Sequence, residues 1–246
     1  MSTYWIKKGK KIWNHGRSRG LEGVKERVGD ILPEIKDLIR RKDKIKILEV
    51  GCGYGRAILE LKKIFEKNIE TYAINKEPRW NLGLIKRYAT AEGIFTKNNL
   101  KSNLPKLYIL DAGKRLPFKS KSFDYVYSIA SVQYISDKAL FLEEINRILK
   151  NGGIARMQFS EEKPSHPSEY QNLFEIWDEN KKIKLKEYLK KFRNIKFGKT
   201  KTNKLGYLFL KKSKSLKLNL KLVNYFDLNK INKKWWGVKA IYIKKK

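Results

Sequence analysis

Short apolar runs alternate with segments of helical spacing between Lys44 and Phe159, and this alternation is the strongest pattern in the chain. Ile45–Val50, Thr71–Ile74, Leu107–Leu110, Phe123–Ile129 and Ile154–Phe159 are too short for helices. Phe123–Ile129 is apolar on both faces, as a buried parallel strand is. Between the runs, Arg56–Lys67 sets Ala57, Ile58, Leu61, Ile64 and Phe65 on one helical face. Trp80–Ala91 reads as a second helix, and Lys138–Leu149 as a third, closed by Asn151-Gly152-Gly153. The β-α-β-α order predicts an α/β fold: a doubly wound, Rossmann-like sheet, mostly parallel with an antiparallel last strand and helices on both faces.

The flanks are less regular. Residues 1–20 mix Tyr4, Trp5 and Trp13 with lysine, arginine and three glycines, which reads as a basic arm. Leu21–Arg41 has helical spacing, with Pro33 placed to bend or divide it. Beyond Ser160, Glu162–Ser168 is a proline-marked loop and Tyr170–Phe192 reads as helix. A short helix is expected from Thr202 to about Lys212, then strands at Leu216–Tyr225 and Gly237–Ile243. The organisation expected is an arm and helix over 1–43, then one domain over 44–246 with a lysine-rich insertion at about 165–200.

The chemistry concentrates after the first strand of the sheet, in Ile47–Glu60. A glycine-rich turn between strand and helix lets backbone approach a ligand and aims helix N–H groups at it. The dinucleotide-binding spacing would place its third glycine at position 56, where this chain has Arg56. Here the glycines are Gly51, Gly53 and Gly55, preceded by Glu49. An acid and backbone carbonyls suit a cationic ligand better than a pyrophosphate, which weighs against a nicotinamide dehydrogenase.

This arrangement resembles the class I S-adenosylmethionine-dependent methyltransferases over roughly Lys44–Phe159. Further stretches carry the resemblance: Tyr72–Glu77 (YAINKE), Leu110-Asp111-Ala112, Leu116–Ala130 (LPFKSKSFDYVYSIA) and Glu143–Gly153 (EEINRILKNGG). The third is similar to the subgroup with an LPF…FD.V pattern. The resemblance implies S-adenosylmethionine as cofactor, held by Glu49, Gly51, Cys52, Gly53, Gly55, Asn75, Lys76, Asp111, Ala112 and Ser128. It implies an acid at the second strand's end for the ribose and Asp111 for the adenine amine. Asn75 departs from that pattern, since an amide lacks the charge-assisted bonding of a carboxylate. Glu77 is the candidate substitute, and Asn75→Asp is expected to tighten cofactor binding if Asn75 faces the ribose.

Composition changes the picture only for the acceptor. The 41% hydrophobic and 12% aromatic content are those of a folded protein, and no apolar run is long enough to span a bilayer. The lone Cys52 excludes an intramolecular disulfide and fits a cytoplasmic location. Lying in the glycine turn, it is a poor nucleophile for pyrimidine C5 methylation. No Asn/Asp-Pro-Pro-Tyr follows the fourth strand, which marks down exocyclic-amine acceptors. The net charge of +32 is concentrated in Lys181–Lys234, where only Glu187 and Asp227 oppose the lysines. With Tyr4, Trp5, Trp13, Trp235 and Trp236 available for base stacking, this points to a nucleic-acid partner, RNA (tRNA or rRNA), as acceptor. An A/T-rich coding sequence produces the same lysine excess without a partner. The alternatives are a small-molecule or lipid-headgroup methyltransferase, or a binding protein without turnover. Catalytic candidates are Gln133, Tyr134 and Asp137, at the carboxyl edge of the sheet, and the loop histidine His166; His15 has a weaker case.

Overall fold

A computed structural model describes the backbone of residues 4–7, 10–13, 20–132, 135, 138–158 and six later strand segments, with side chains over 20–132, 135 and 140–158. The basic arm contains two strands, β1 (Tyr4–Lys7) and β2 (Lys10–Trp13), paired antiparallel. The predicted helix at Leu21–Arg41 is two helices, α1 (Leu21–Val28) and α2 (Leu32–Lys42). Gly29 in a left-handed conformation ends the first, and Pro33 sits in the first turn of the second, where its missing N–H costs nothing.

The central sheet follows. Its strands and helices are β3 (Ile45–Val50), α3 (Arg56–Phe65), β4 (Ile69–Asn75), α4 (Leu82–Ala91), α5 (Lys97–Asn103), β5 (Lys106–Ile109), β6 (Phe123–Ser128), α6 (Lys138–Ile148) and β7 (Leu149–Gln158). The order β7-β6-β3-β4-β5 is parallel throughout, with β3 at its centre. The α/β, Rossmann-like reading therefore holds for these five strands. The polar helix α5 has no apolar periodicity, which is why the sequence pattern passes over it.

Alternation along β3 divides the core. Ile45 and Ile47 pack with α1, α2 and α3, together with Tyr125 and Tyr127 of β6. Leu48 and Val50 pack on the opposite face with α6 residues Phe141, Leu142 and Ile145. Leu59, Ala73, Leu84, Ile85 and Tyr88 form a third apolar cluster around α4. Buried ion pairs fix the edges. Asp124, with no exposed surface, accepts from Lys42 and Lys150 Nζ, both at 2.7 Å, and from the Lys46 amide at 2.9 Å. Arg156 donates to both oxygens of Glu34, which also accepts the Tyr125 hydroxyl, locking α2 to the sheet.

The carboxyl-terminal third departs from the sequence reading. Two strands, β8 (Glu175–Asp178) and β9 (Lys181–Lys184), lie inside the expected helix Tyr170–Phe192. Glu-Ile-Trp-Asp and Lys-Lys-Ile-Lys are too short to show a period of two, and apolar residues at helical spacing across Tyr170–Phe192 masked them. After β10 (Ile195–Lys199), the expected helix from Thr202 is instead a strand, β11 (Gly206–Lys211), paired with β7 and β10. Its Tyr-Leu-Phe-Leu run has strand propensity throughout. Two more strands, β12 (Leu222–Phe226) and β13 (Lys239–Ile243), join β8 and β9 in a separate four-stranded sheet. The final strand expected for the central sheet therefore belongs elsewhere.

Candidate functional site

The carboxyl ends of β3, β4, β5 and β6 meet at one edge of the sheet, and most of the described candidate residues gather there. The Gly51–Gly55 turn leaves β3 and is pinned to the next strand by the Gly51 and Cys52 amides, which donate to the Ile74 carbonyl at 2.8 and 3.2 Å. At Gly51 a side chain would land on Ser131, and its φ of 76° is left-handed, so glycine is required twice over. Gly53 differs. Its φ is 55°, but a Cβ there would meet nothing within 4 Å. This is the part of the turn open to a ligand.

Behind the turn, Glu49 is 3% exposed and its Oε2 has no hydrogen-bond partner among the described residues. Burial pushes its carboxyl up to about 8; the neighbouring Tyr127 hydroxyl and the Ile58 backbone oppose this, and Glu60 reinforces it. Cys52 is also raised, by burial and then by Glu49, so it is a buried thiol and not a nucleophile. Glu49 is therefore a buried carboxyl that keeps its proton near neutral pH.

Asn75 lies at the end of β4 and is buried. Its Oδ1 accepts from the Gly53 amide at 2.8 Å, and its Nδ2 donates to the carbonyls of Gly53 (3.0 Å) and Trp80 (2.8 Å). The carboxamide is thus turned to the glycine turn. Glu77 is exposed and paired with Arg79. Lys76 reaches across to Asp111, with Nζ 2.9 Å from Oδ2, while Asp111 Oδ1 accepts the Gly113 amide at 2.9 Å. Ala112 is buried beside it. Sequence reading passed over two aromatics here. Tyr54, within the glycine turn, packs edge-on against Trp80, with ring centroids 4.9 Å apart, and against Tyr88 at 5.4 Å. Trp80 was legible only as a helix start.

Opposite, Ser128 ends β6 fully buried, and its Oγ donates to the Val50 carbonyl at 3.0 Å. Ser131 Oγ reaches the same carbonyl at 2.9 Å and lies 2.6 Å from Ser128 Oγ. Ala130 between them adopts a left-handed φ of 50° and its amide donates to Gln158 Oε1 at 2.8 Å. Ser131 and Gln158 carried no sequence signal, because neither belongs to a motif. Gln133, Tyr134, Asp137, His166 and His15 lie outside the described residues, as do Trp235 and Trp236; the side chains of Tyr4, Trp5 and Trp13 and of the Lys181–Lys234 tract do too.

Residues 48–157, the stretch that contains the site, match the family described as Methyltransferase domain. This is a class I S-adenosylmethionine-dependent methyltransferase domain. The chain is 29% identical over 137 residues to a mouse (Mus musculus) mitochondrial protein named arginine-hydroxylase NDUFAF5, covering 53% of this chain and 33% of that one. It is 32% identical over 113 residues to the sterol 24-C-methyltransferase ERG6B of Gibberella zeae, covering 46% of this chain and 27% of that one. The chain thus spans about a third or less of these relatives' length. Among solved structures it is similar to a SAM-dependent methyltransferase from Aquifex aeolicus, at 15% identity and a TM-score of 0.45, covering 72% of this chain and 88% of that one.

S-adenosylmethionine is the methyl donor of this family's methyltransferases. The residues present fit it. Gly53 leaves room for the ligand, and Glu49 has one carboxyl oxygen, Oε2, without a partner among the described residues behind the turn. Among the described residues, none of the helices is long and apolar enough to cross a membrane, and no cluster of His, Cys, Asp or Glu could hold a metal.

Proposed function

We propose that the chain transfers a methyl group from S-adenosylmethionine to a small-molecule acceptor. The observation that carries this reading is the open face of Gly53 within a turn fixed between β3 and β4, above the buried acid Glu49. Bound there, the cofactor supplies a methyl group already activated by a positively charged sulfur. The chain's own residues supply orientation and dryness. The Gly51–Gly55 backbone would cradle the methionyl end, and Glu49 would offer its carboxyl to the cationic groups. Asp111, once released by Lys76, would take the adenine amine with Ala112 against the ring.

The sterol methyltransferase relative supports a small-molecule acceptor, which is the alternative that the sequence left open. RNA as acceptor rests on the basic Lys181–Lys234 tract and the aromatics available for stacking, and lysine-rich composition produces the first of these without a partner. The relative named an arginine hydroxylase shows that proteins matching this stretch have names other than methyltransferase, so methyl transfer needs a direct test. With tritiated methyl donor, label is expected in an organic-soluble or small-metabolite fraction of a cell extract. Label confined to RNA overturns the acceptor class, and label in neither fraction overturns turnover itself.

A further inference from the structure

We infer that Asn75 is a positioning residue that ties the glycine turn to the Lys76–Trp80 segment, and that a neutral amide is required there. This inference rests on reading the glycine turn as the donor site. A carboxamide brings one acceptor oxygen and two N–H donors. All three are engaged: the oxygen by the Gly53 amide, one donor by the Gly53 carbonyl and the other by the Trp80 carbonyl. The side chain thus grips one residue of the turn by both of its backbone polar groups. With its remaining hydrogen it ties the Lys76–Trp80 segment to the same point. The residue gripped, Gly53, is the one whose outer face is open. The Tyr54 and Trp80 rings meet edge-on across the same junction.

A carboxylate is nearly the same shape but cannot donate. Aspartate at 75 would keep the bond from the Gly53 amide and set its second oxygen against two carbonyl oxygens, in a pocket that leaves Asn75 only 3% exposed. The Trp80 carbonyl would lose its amide donor and the Gly53 carbonyl would keep only the weak contact from Cys52 Sγ at 3.8 Å, and each such loss is costly. The family pattern of an acid at this position would therefore work against this particular turn. The Cys52 thiol in the turn is in contact with Asn75, and the charged groups nearby in the fold are Lys76, paired with Asp111 just beyond β5, and Glu77, paired with Arg79.

The test compares the full-length chain with Asn75→Asp and Asn75→Leu, titrating S-adenosylhomocysteine by calorimetry between pH 5.5 and pH 8. Asn75→Asp is expected to bind roughly ten- to a hundredfold more weakly than wild type at pH 8, from two lost bonds. The deficit should shrink as pH falls, because a protonated aspartic acid regains one donor. Burial shifts that protonation toward neutrality. Taking the ratio to wild type at each pH removes the titration of the surrounding groups, which both chains share. Asn75→Leu should be weak at every pH. Equal or tighter binding by Asn75→Asp at pH 8 overturns the inference and returns Asn75 to the ribose. If wild type itself does not bind S-adenosylhomocysteine, the donor reading fails, and melting decides the tie. Asn75→Asp should then melt below wild type with a gap that narrows in acid, and coincident melting across the range overturns it.

Discussion

Glu49 is a carboxyl whose protonation the fold controls strongly, and replacing it by glutamine isolates that control. Its carboxyl moves from an ordinary 4.5 to about 8, mainly because burial penalises the charge. The folded chain therefore keeps a proton that the unfolded chain releases above about pH 4.5. For an acid displaced upward, the associated stability is fully present below the unfolded value and is lost as pH rises through the folded one. At about 1.4 kcal/mol per pH unit, the loss between pH 4.5 and pH 8 is about 4 kcal/mol. A chain of this size changes its melting temperature by roughly 2–4 °C per kcal/mol, so the loss corresponds to about 10 °C. Glutamine keeps the shape and one acceptor but cannot titrate. Thermal unfolding of wild type and Glu49→Gln should be followed from pH 5 to pH 8, and only their difference matters because every other group titrates in both. The advantage of Glu49→Gln should grow by about 3 kcal/mol across that range. A gap that stays constant with pH would show that Glu49 is not held protonated.

Three further outcomes are expected. Gly51→Ala, which drives a methyl group onto Ser131 at a left-handed φ, should cost about 2–4 kcal/mol in urea unfolding and abolish cofactor binding. Gly53→Ala meets open space and should cost only about 1–2 kcal/mol for its φ, yet still weaken S-adenosylhomocysteine, because its methyl group occupies the ligand's side of the turn. At Asp124, burial pushes the carboxyl up, but Lys150, Lys42 and the Lys46 amide outweigh it, so the net shift is down. Its stabilisation is therefore present above the ordinary carboxylate range and lost as pH falls through the lowered value. Asp124→Ala should cost about 3–5 kcal/mol at pH 7 by stranding two lysines, with the difference from wild type closing in strong acid. A neutral effect in denaturant titration would remove the lysine pair from the account of stability.

Much of the central fold was legible because burial writes itself into strands. Ile45–Val50 and Phe123–Ser128 carry apolar residues on both faces, since helices cover both. Gly51, Gly53 and Gly55 were legible as a turn because left-handed φ values restrict the residue type. The direction in which Asn75 points was not legible. A pattern of residue types says what stands at a strand's end, but only the path of the neighbouring turn decides which atoms its amide meets. Ser131 and Gln158 escaped for the same reason, their partners lying far off in sequence. Lys181–Lys184 was misread because lysines supply most of its positions, and Gly206–Lys211 because its unbroken apolar run shows neither a period of two nor one of 3.6.

The paired serines at the end of β6 carry a last consequence. Each hydroxyl has one hydrogen, yet three contacts join Ser128 Oγ, Ser131 Oγ and the Val50 carbonyl. The protons can be dealt out in more than one way, and every arrangement leaves the carbonyl with at least one donor. The joint is therefore redundant. Loss of either hydroxyl alone leaves the other free to serve Val50, and only loss of both strands it. A clamp built this way tolerates single substitutions in silence and fails only when both arms are gone, so its importance is invisible to any survey of one residue at a time.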